Sequence, residues 1–348
     1  MADETRLIAI GPEAGREEWQ AWLEQQPEAS IYHTPLWQEI LSGAFGYQPC
    51  YLFARDRAGE LEGMLPLFLL EAPGRGKRLC SAPFAHCCGP LGSVPAVSAL
   101  LQQAAIMAAE LRVAGLEIRS PVPLPAGRTT QDFVGHILPL SSDYRQVWEA
   151  LGSGSIRRGI KRAEKTGVIV KPGRSAADWR EFYRLNSLTK HRLGVPCHPW
   201  RYLDLIRALG GEQAGVYLAW LGDRPIGGAV MLYCRHTVLY AYGGADPAYL
   251  AYRPYNAIFW SVIRDACAAG YQSLDFGRTE RHNQGLLAFK RRWGTTEIPL
   301  LYSVSGGRRA GVGAGRQGVL YRSATGFFRS LPLPIYTRLS ERIFSWLG

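Results

Sequence analysis

The stretch Leu274–Gly294, LDFGRTERHNQGLLAFKRRWG, sets the reading of this chain. It continues a run from Tyr271 to Phe276 that alternates apolar and polar residues, the period of a short strand. Gly277 frees the backbone to turn at its end. A polar loop follows, with Arg278, Glu280, Arg281, His282, Asn283 and Gln284. After Gly285 the run LLAFKRRW predicts a short helix with Leu286, Phe289 and Trp293 on one side, stopped by Gly294. Lys290, Arg291 and Arg292 lie on or beside that helix. A strand end and a helix start therefore converge with cations around the gap, which suits an anionic group such as a phosphate. A solvated basic helix packed by its aromatics fits the same spacing.

Working back from this stretch, Val216 to Leu221, Ile226 to Tyr233 and Thr237 to Tyr242 read as three antiparallel strands, the first two joined by a tight turn at GDRP. Pro254 to Ala269 reads as a helix, and Ile298 to Val304 as a last strand. Earlier come helices at Asp143 to Leu151 and Ile156 to Thr166, the second with Ile156, Ile160 and Ala163 on one face and cations on the other. Two more helices cover Asp178 to Arg192 and Trp200 to Leu209. In the first part Thr34 caps a helix with Pro35 at its first position and Trp37, Ile40 and Leu41 on its buried face. Tyr51 to Ala54 and Leu61 to Leu70 pair as a hairpin, and Val94 to Ala114 is an alanine-rich helix. Strands and helices alternate in both halves, which predicts an α/β protein.

Three motifs in order carry a resemblance. DFGR followed by FKRRWG, SIYHTPLWQEIL (Ser30 to Leu41) and SIRRGIKRAEKTGV (Ser155 to Val168) resemble the C-terminal signature, the opening motif and the central basic helix of the FemAB-like branch of the GNAT-fold acyltransferases. That branch includes peptidoglycan bridge-forming aminoacyltransferases and an exopolysaccharide, PEP-CTERM-system-associated type. The resemblance runs from about Ser30 to Ser305. It implies two GNAT-like domains with mixed, largely antiparallel sheets flanked by helices, at 1–140 and 141–305, and a substrate cleft between or along them. A basic tail, 306–348, follows.

The resemblance also implies roles. Lys290 falls on the lysine of the FK-x-x-WG motif, which in bridge-forming members contacts the acceptor's phosphate. Arg278, Arg291, Arg157, Arg158, Tyr240 and His282 join it as substrate-binding candidates. Asp275, which could orient Arg278 or accept an amine proton, and Tyr242 are the catalytic candidates. Tyr240 and Tyr242 alternate onto one face of their strand. Acyl transfer to an amine needs a positioned donor and a place for the carbonyl oxygen, not a nucleophilic side chain. The chain accordingly lacks a G-x-S-x-G elbow, a Walker loop and a dinucleotide motif. GSGSIRRG can be read as a pyrophosphate loop, but it follows a helix. Bridge-forming members carry a lysine three residues after the opening tryptophan, where this chain has Ile40. The expectation is thus acyl or aminoacyl transfer to an amino group of a sugar- or lipid-linked envelope intermediate. Acyl-CoA or aminoacyl-tRNA would be the donor, with no tightly bound cofactor and no metal. A non-catalytic protein docking an anionic polysaccharide, nucleic acid or membrane is the alternative.

Composition agrees with a globular chain: 348 residues, 47% hydrophobic and 20% charged. The seven cysteines form no CxxC pair, so neither a disulfide frame nor a zinc site is signalled. MADETRLIAI lacks the flank and apolar core of a signal peptide, and a cytoplasmic location is expected. The net charge of +11 is concentrated in Leu151 to Lys171 and Gly306 to Gly348. In the latter, GGRRAGVGAG reads as a flexible linker, and arginines interleave with Phe327, Phe328, Ile335, Phe344 and Trp346. That pattern suits peripheral contact with an anionic membrane at its inner face, or packing on the parent domain.

Overall fold

The side chain of Thr34 accepts the Trp37 N–H and Pro35 opens the helix behind it, as their residue types require. The computed structural model describes residues 9–11, 13–74, 76–124, 127–152, 154–306 and 319–347. The chain divides into two compact units, residues 1–132 with 299–315 and residues 133–298 with 316–347.

The first unit holds β1 (Ala9–Gly11), α1 (Arg16–Glu24), α2 (Pro35–Phe45), β2 (Gln48–Pro49), β3 (Leu52–Arg55), β4 (Leu61–Leu65), β5 (Phe68–Ala72), β6 (Gly76–Cys80), β7 (Leu91–Gly92), α3 (Val94–Glu110) and β8 (Gly115–Ser120). The expected single arm Leu61 to Leu70 is two strands, because Pro66 has no N–H to give a ladder. One sheet has the order β1-β3-β4-β7. In another set β8 pairs parallel with β6, and β6 and β2 flank β5 antiparallel. Leu52, Leu65, Leu100, Ala104, Leu116 and Ile118 fill the core between α3 and these strands. Trp37, Ile40 and Leu41 are buried as the spacing predicts.

The strand β9 (Arg128–Pro139) passes from the first unit into the second. The second unit continues with α4 (Tyr144–Ala150), α5 (Gly154–Lys165), β10 (Val168–Gly173), α6 (Ala176–Leu193), α7 (Trp200–Gly210), β11 (Ala214–Leu221), β12 (Arg224–Cys234), β13 (Thr237–Ala245), α8 (Pro254–Ala268), β14 (Ser273–Asp275), β15 (Thr279–Glu280) and α9 (Gln284–Arg291). Then come β16 (Thr296–Gly306), whose residues from Leu301 pair with β8, and two tail helices, α10 (Val319–Ser330) and α11 (Leu333–Ile343). The sheet of the second unit has the order β10-β11-β12-β13-β14-β9, antiparallel except where β13 meets β14. Neither β9 nor β10 is among the expected strands. Val238, Met231, Ala229 and Ala219 face α8 and α5, whose Ile258, Ile263, Ile156 and Ile160 complete the larger core. The opposite face carries α6: a side chain at Gly228 would meet Phe182 of that helix, whereas one at Gly227 would meet Pro254 of α8.

The tail helices pack on the second unit. Phe328, Tyr336 and Phe344 are buried, and Tyr336 Oη donates to Val195 O at 2.6 Å. Gly194 ends α6 in the left-handed region, φ +72°, and Thr325 O lies where its side chain would be. The tail's expected linker, 307–318, falls outside the described residues. No helix among them is long and apolar enough to cross a membrane. Four cysteines are buried and three half-buried, and none is bridged.

Candidate functional site

The helix at FKRR is set by its cap: Asn283 accepts the Leu286 N–H at 3.1 Å. That start fixes which side faces inward. Leu287 and Lys290 are buried, one turn apart, and Leu286 is exposed. The expectation that Leu286 packs on the inward side is therefore corrected. Trp293, just past the helix, is buried among Phe259, Phe276 and Phe289.

Lys290 is 3% exposed. Its Nζ donates to Gly277 O at 2.9 Å and Arg278 O at 3.0 Å, the two carbonyls of the turn after β14. Gly277 makes that turn at φ +70°, and its N–H donates to Asp275 Oδ1 at 2.7 Å. Asp275 and Lys290 thus hold the DFGR turn from its two sides. Burial pulls the Lys290 ammonium down to about 7, against the attraction of Asp275. Arg278 lies half-buried above the Phe133 ring, 4.7 Å from its centroid.

His136, on β9, is a buried neighbour of this turn that the sequence did not single out. It is buried beside Lys290; its Nδ1 lies 3.4 Å from Thr295 Oγ1, and that hydroxyl donates to Lys290 O. Its Nε2 has no hydrogen-bond partner among the described residues. Burial first, then the Lys290 charge, lower it to about 4, so it is neutral at pH 7. Between about 4 and 6.5 the unfolded chain binds a proton there that the folded chain does not, so stability falls as pH drops through that window. His136→Gln is expected to remove about 3 kcal/mol of that acid sensitivity, read from urea midpoints at pH 4.5 and 7. Equal slopes for variant and parent would show that His136 does not titrate this way.

The wedge in the sheet is the second feature. The last parallel pair is Leu239↔Asp275; β13 runs on to Ala245, while the chain after β14 follows β9 instead. The freed stretch of β13 is answered by α6. Asn186 Nδ2 donates to Gly243 O at 2.9 Å, and Thr189 Oγ1 bonds both Ala245 N and O. A bulge lies within this stretch: Met231 pairs with Tyr240 and Val230 with Tyr242, leaving Ala241 as the extra residue. The two tyrosines therefore do not share a face, as alternation predicted. Tyr240 packs on Phe259 of α8, and burial holds its hydroxyl well above the usual range. Tyr242 turns to the α6 side, where its Oη meets Tyr202 Oη at 2.6 Å.

His198, before α7, packs on Tyr242 with ring centroids 4.2 Å apart, and Phe344 of the tail covers it. Its Nδ1 lies 3.0 Å from Asn186 Oδ1. With the Asn186 amide donating to Gly243, that oxygen is an acceptor, which assigns the proton to Nδ1. His198 had shown no informative spacing in the sequence.

The remaining candidates are dispersed. Arg157 caps the C-terminus of α4, donating to Trp148 O at 3.1 Å and Glu149 O at 2.7 Å. Arg158 is exposed on α5. Arg291 pairs with Glu297 at 2.6 Å, and His282 with Glu280 at 3.2 Å. GSGS joins α4 to α5 and does not follow a strand. Among the described residues no group of three or more His, Cys, Asp or Glu is placed to hold a metal.

Residues 153–291, which hold the wedge, the DFGR turn and Lys290, match the family model Acetyltransf_6, an acetyltransferase (GNAT) domain. That match spans 139 of the 348 residues. The solved structure of FemX is similar over 85% of this chain and 97% of its own, with 15% identity and a TM-score of 0.68. L-PGS from Bacillus licheniformis is similar over 97% of this chain and 99% of its own, at 12% identity and TM-score 0.57. A tandem GNAT protein from the clavulanic acid biosynthesis pathway is similar over 86% and 98%, at 12% identity and TM-score 0.52. A comparison with curated proteins finds no match. At these identities the likenesses bear on fold. They agree with an α/β chain of two GNAT-like halves.

Proposed function

We propose that the GNAT domain moves an acyl group from acyl-CoA to an amino group of a sugar- or lipid-linked envelope intermediate, with the wedge between β13 and β14 as the donor site. The observation behind this reading is that β13 outruns its parallel partner by six residues, Tyr240 to Ala245. An extended arm with its own amides can add as a strand would to the part of that stretch before the residues bonded by α6, Tyr240 to Tyr242. Its thioester carbonyl would then lie by the turn at Gly277, which Lys290 braces. The amine nitrogen attacks that carbonyl, the N–C bond forms, the C–S bond breaks, and the departing thiolate takes up the proton the amine gives up, so that CoA leaves as the thiol. The bulge at Ala241 gives the wedge two sides, Tyr240 towards the donor and Tyr242 towards the acceptor. Arg278, half-buried at the turn itself, is the cation placed nearest to meet an acceptor's phosphate. Lys290 acts by holding the turn, a role different from the phosphate contact the resemblance implies. Ile40 is buried, so the first unit brings no cation to that position. This is why the acceptor is read as an envelope or exopolysaccharide amine in general rather than a peptidoglycan precursor. The reading keeps the chain in the cytoplasm with its donor.

Calorimetric titration with acetyl-CoA tests the donor. Binding that desulfo-CoA competes for, followed by thiol release in the presence of amine-bearing nucleotide sugars or aminolipids, supports the reading. Transfer from aminoacyl-tRNA with no affinity for CoA would replace the donor. Affinity for neither would sink the proposal.

A further inference from the structure

The two tail helices bury one side on the second unit, and their other side is not what a solvated helix presents. Phe327, Ile335, Trp346 and Leu347 are between 41% and 54% exposed, and all four lie within the last 22 residues. Along α11 and the turn after it, Ile335, Arg342 and Trp346 follow the i, i+7, i+11 spacing of one helical stripe, with Arg338 beside it, while Leu339 packs inward against the cluster of Phe328 and Tyr336. Arg338 and Arg342 are exposed and make no ion pair among the described residues. The one acid of the tail, Glu341, is exposed and accepts from Tyr183 Oη at 3.4 Å. The outward side is thus apolar with a cationic excess.

We propose that this outward side of the C-terminal helices docks on an anionic lipid bilayer. Charge selects that occupant. A second copy joined through the same surface would set arginine against arginine, since a two-fold contact brings a patch against itself. A flat anionic surface instead takes the guanidinium groups at the headgroups and the aromatic and aliphatic side chains at the acyl boundary. Helices that lie in an interface need an apolar stripe and basic flanks, and they need not span it. The inference does not depend on the transfer reading, because none of these residues belongs to the wedge.

Flotation of the full chain with vesicles separates the outcomes. Vesicles of phosphatidylcholine with phosphatidylglycerol should carry the protein up the gradient, and pure phosphatidylcholine should not. Ile335→Ser with Trp346→Ser should abolish flotation. Arg338→Gln with Arg342→Gln should weaken it roughly thirtyfold, since each near-surface cation contributes about 1 kcal/mol. All four positions are exposed or flank the surface, so the variants should keep the parent's circular dichroism and melting temperature. Equal flotation with neutral vesicles, unchanged flotation of both variants, or no flotation at all would overturn the proposal. So would concentration-dependent dimerisation lost in Trp346→Ser.

Discussion

Trp293→Ala is expected to destabilise the second unit by about 3–5 kcal/mol, the range for truncating a large buried aromatic. The indole is fully buried, with ring centroids of Phe259, Phe276 and Phe289 at 5.5, 6.0 and 6.5 Å. It joins α8, the end of β14 and α9, so the cavity would open beneath the DFGR turn itself. Trp293→Phe keeps most of the apolar volume and should cost far less. Urea unfolding followed by circular dichroism measures both. A Trp293→Ala protein with the parent's midpoint would mean that the three phenylalanines close the gap without it.

The second large effect is at Lys290, and it has opposite signs for stability and for transfer. An ammonium pulled from its usual 10.5 down to about 7 is held in the fold at a cost. Between those values the unfolded chain carries a proton that the folded chain lacks, so stability rises with pH, by about 1.4 kcal/mol per unit for one group. Below about 7 both states are protonated and the full cost stands. Lys290→Met removes the charge but leaves Gly277 O and Arg278 O without their donor, which costs roughly 1–3 kcal/mol in turn. The net gain at pH 6 to 7 is therefore about 1–3 kcal/mol, and it should shrink steadily as pH rises to 9 or 10. Unfolding midpoints of parent and variant across that range test this, and a difference independent of pH would refute it. On the proposed reading the same variant loses transfer by about 10²-fold, the scale on which a misplacement of about 1 Å in a positioning element lowers rate. A protein that is more stable and less active would mark the lysine as kept for the chemistry.

Much of this was legible in the sequence. The strand–glycine–helix run, the Thr34 cap, the tight turn after Leu221 and the α/β alternation all rest on local rules, and local rules hold where one residue type has one reason to be there. Other features escaped because their causes are not local. Leu286 and Leu287 are equally apolar, and only the Asn283 cap decides that Leu287 and Lys290 turn inward. β9 has no clean alternation: Gly135, His136 and Pro139 interrupt its apolar residues. β10 contains Pro172, which an edge strand tolerates, and it lies at the edge of its sheet. His136 and His198 sit far in sequence from Lys290 and Tyr242, so no motif spacing could pair them. The bulge at Ala241 cannot be read from residue type at all, because TVLYAYGGA alternates well enough to look regular.

That one extra residue makes substrate preference modular. In a regular strand Tyr240 and Tyr242 would line the same wall, and any change at one would be felt by whatever the other touches. With Ala241 inserted between them, each tyrosine answers to a different helix, Tyr240 to α8 and Tyr242 to α6 and α7. Substitutions on one side can then drift, or be selected, without disturbing the other. A lineage can keep its donor while trying new acceptors, and a laboratory library can be confined to one side of a single strand. Removing Ala241 would keep that independence, because Tyr240 and Tyr242 would then be neighbours on a regular strand with the same partners on β12, and neighbours face opposite sides.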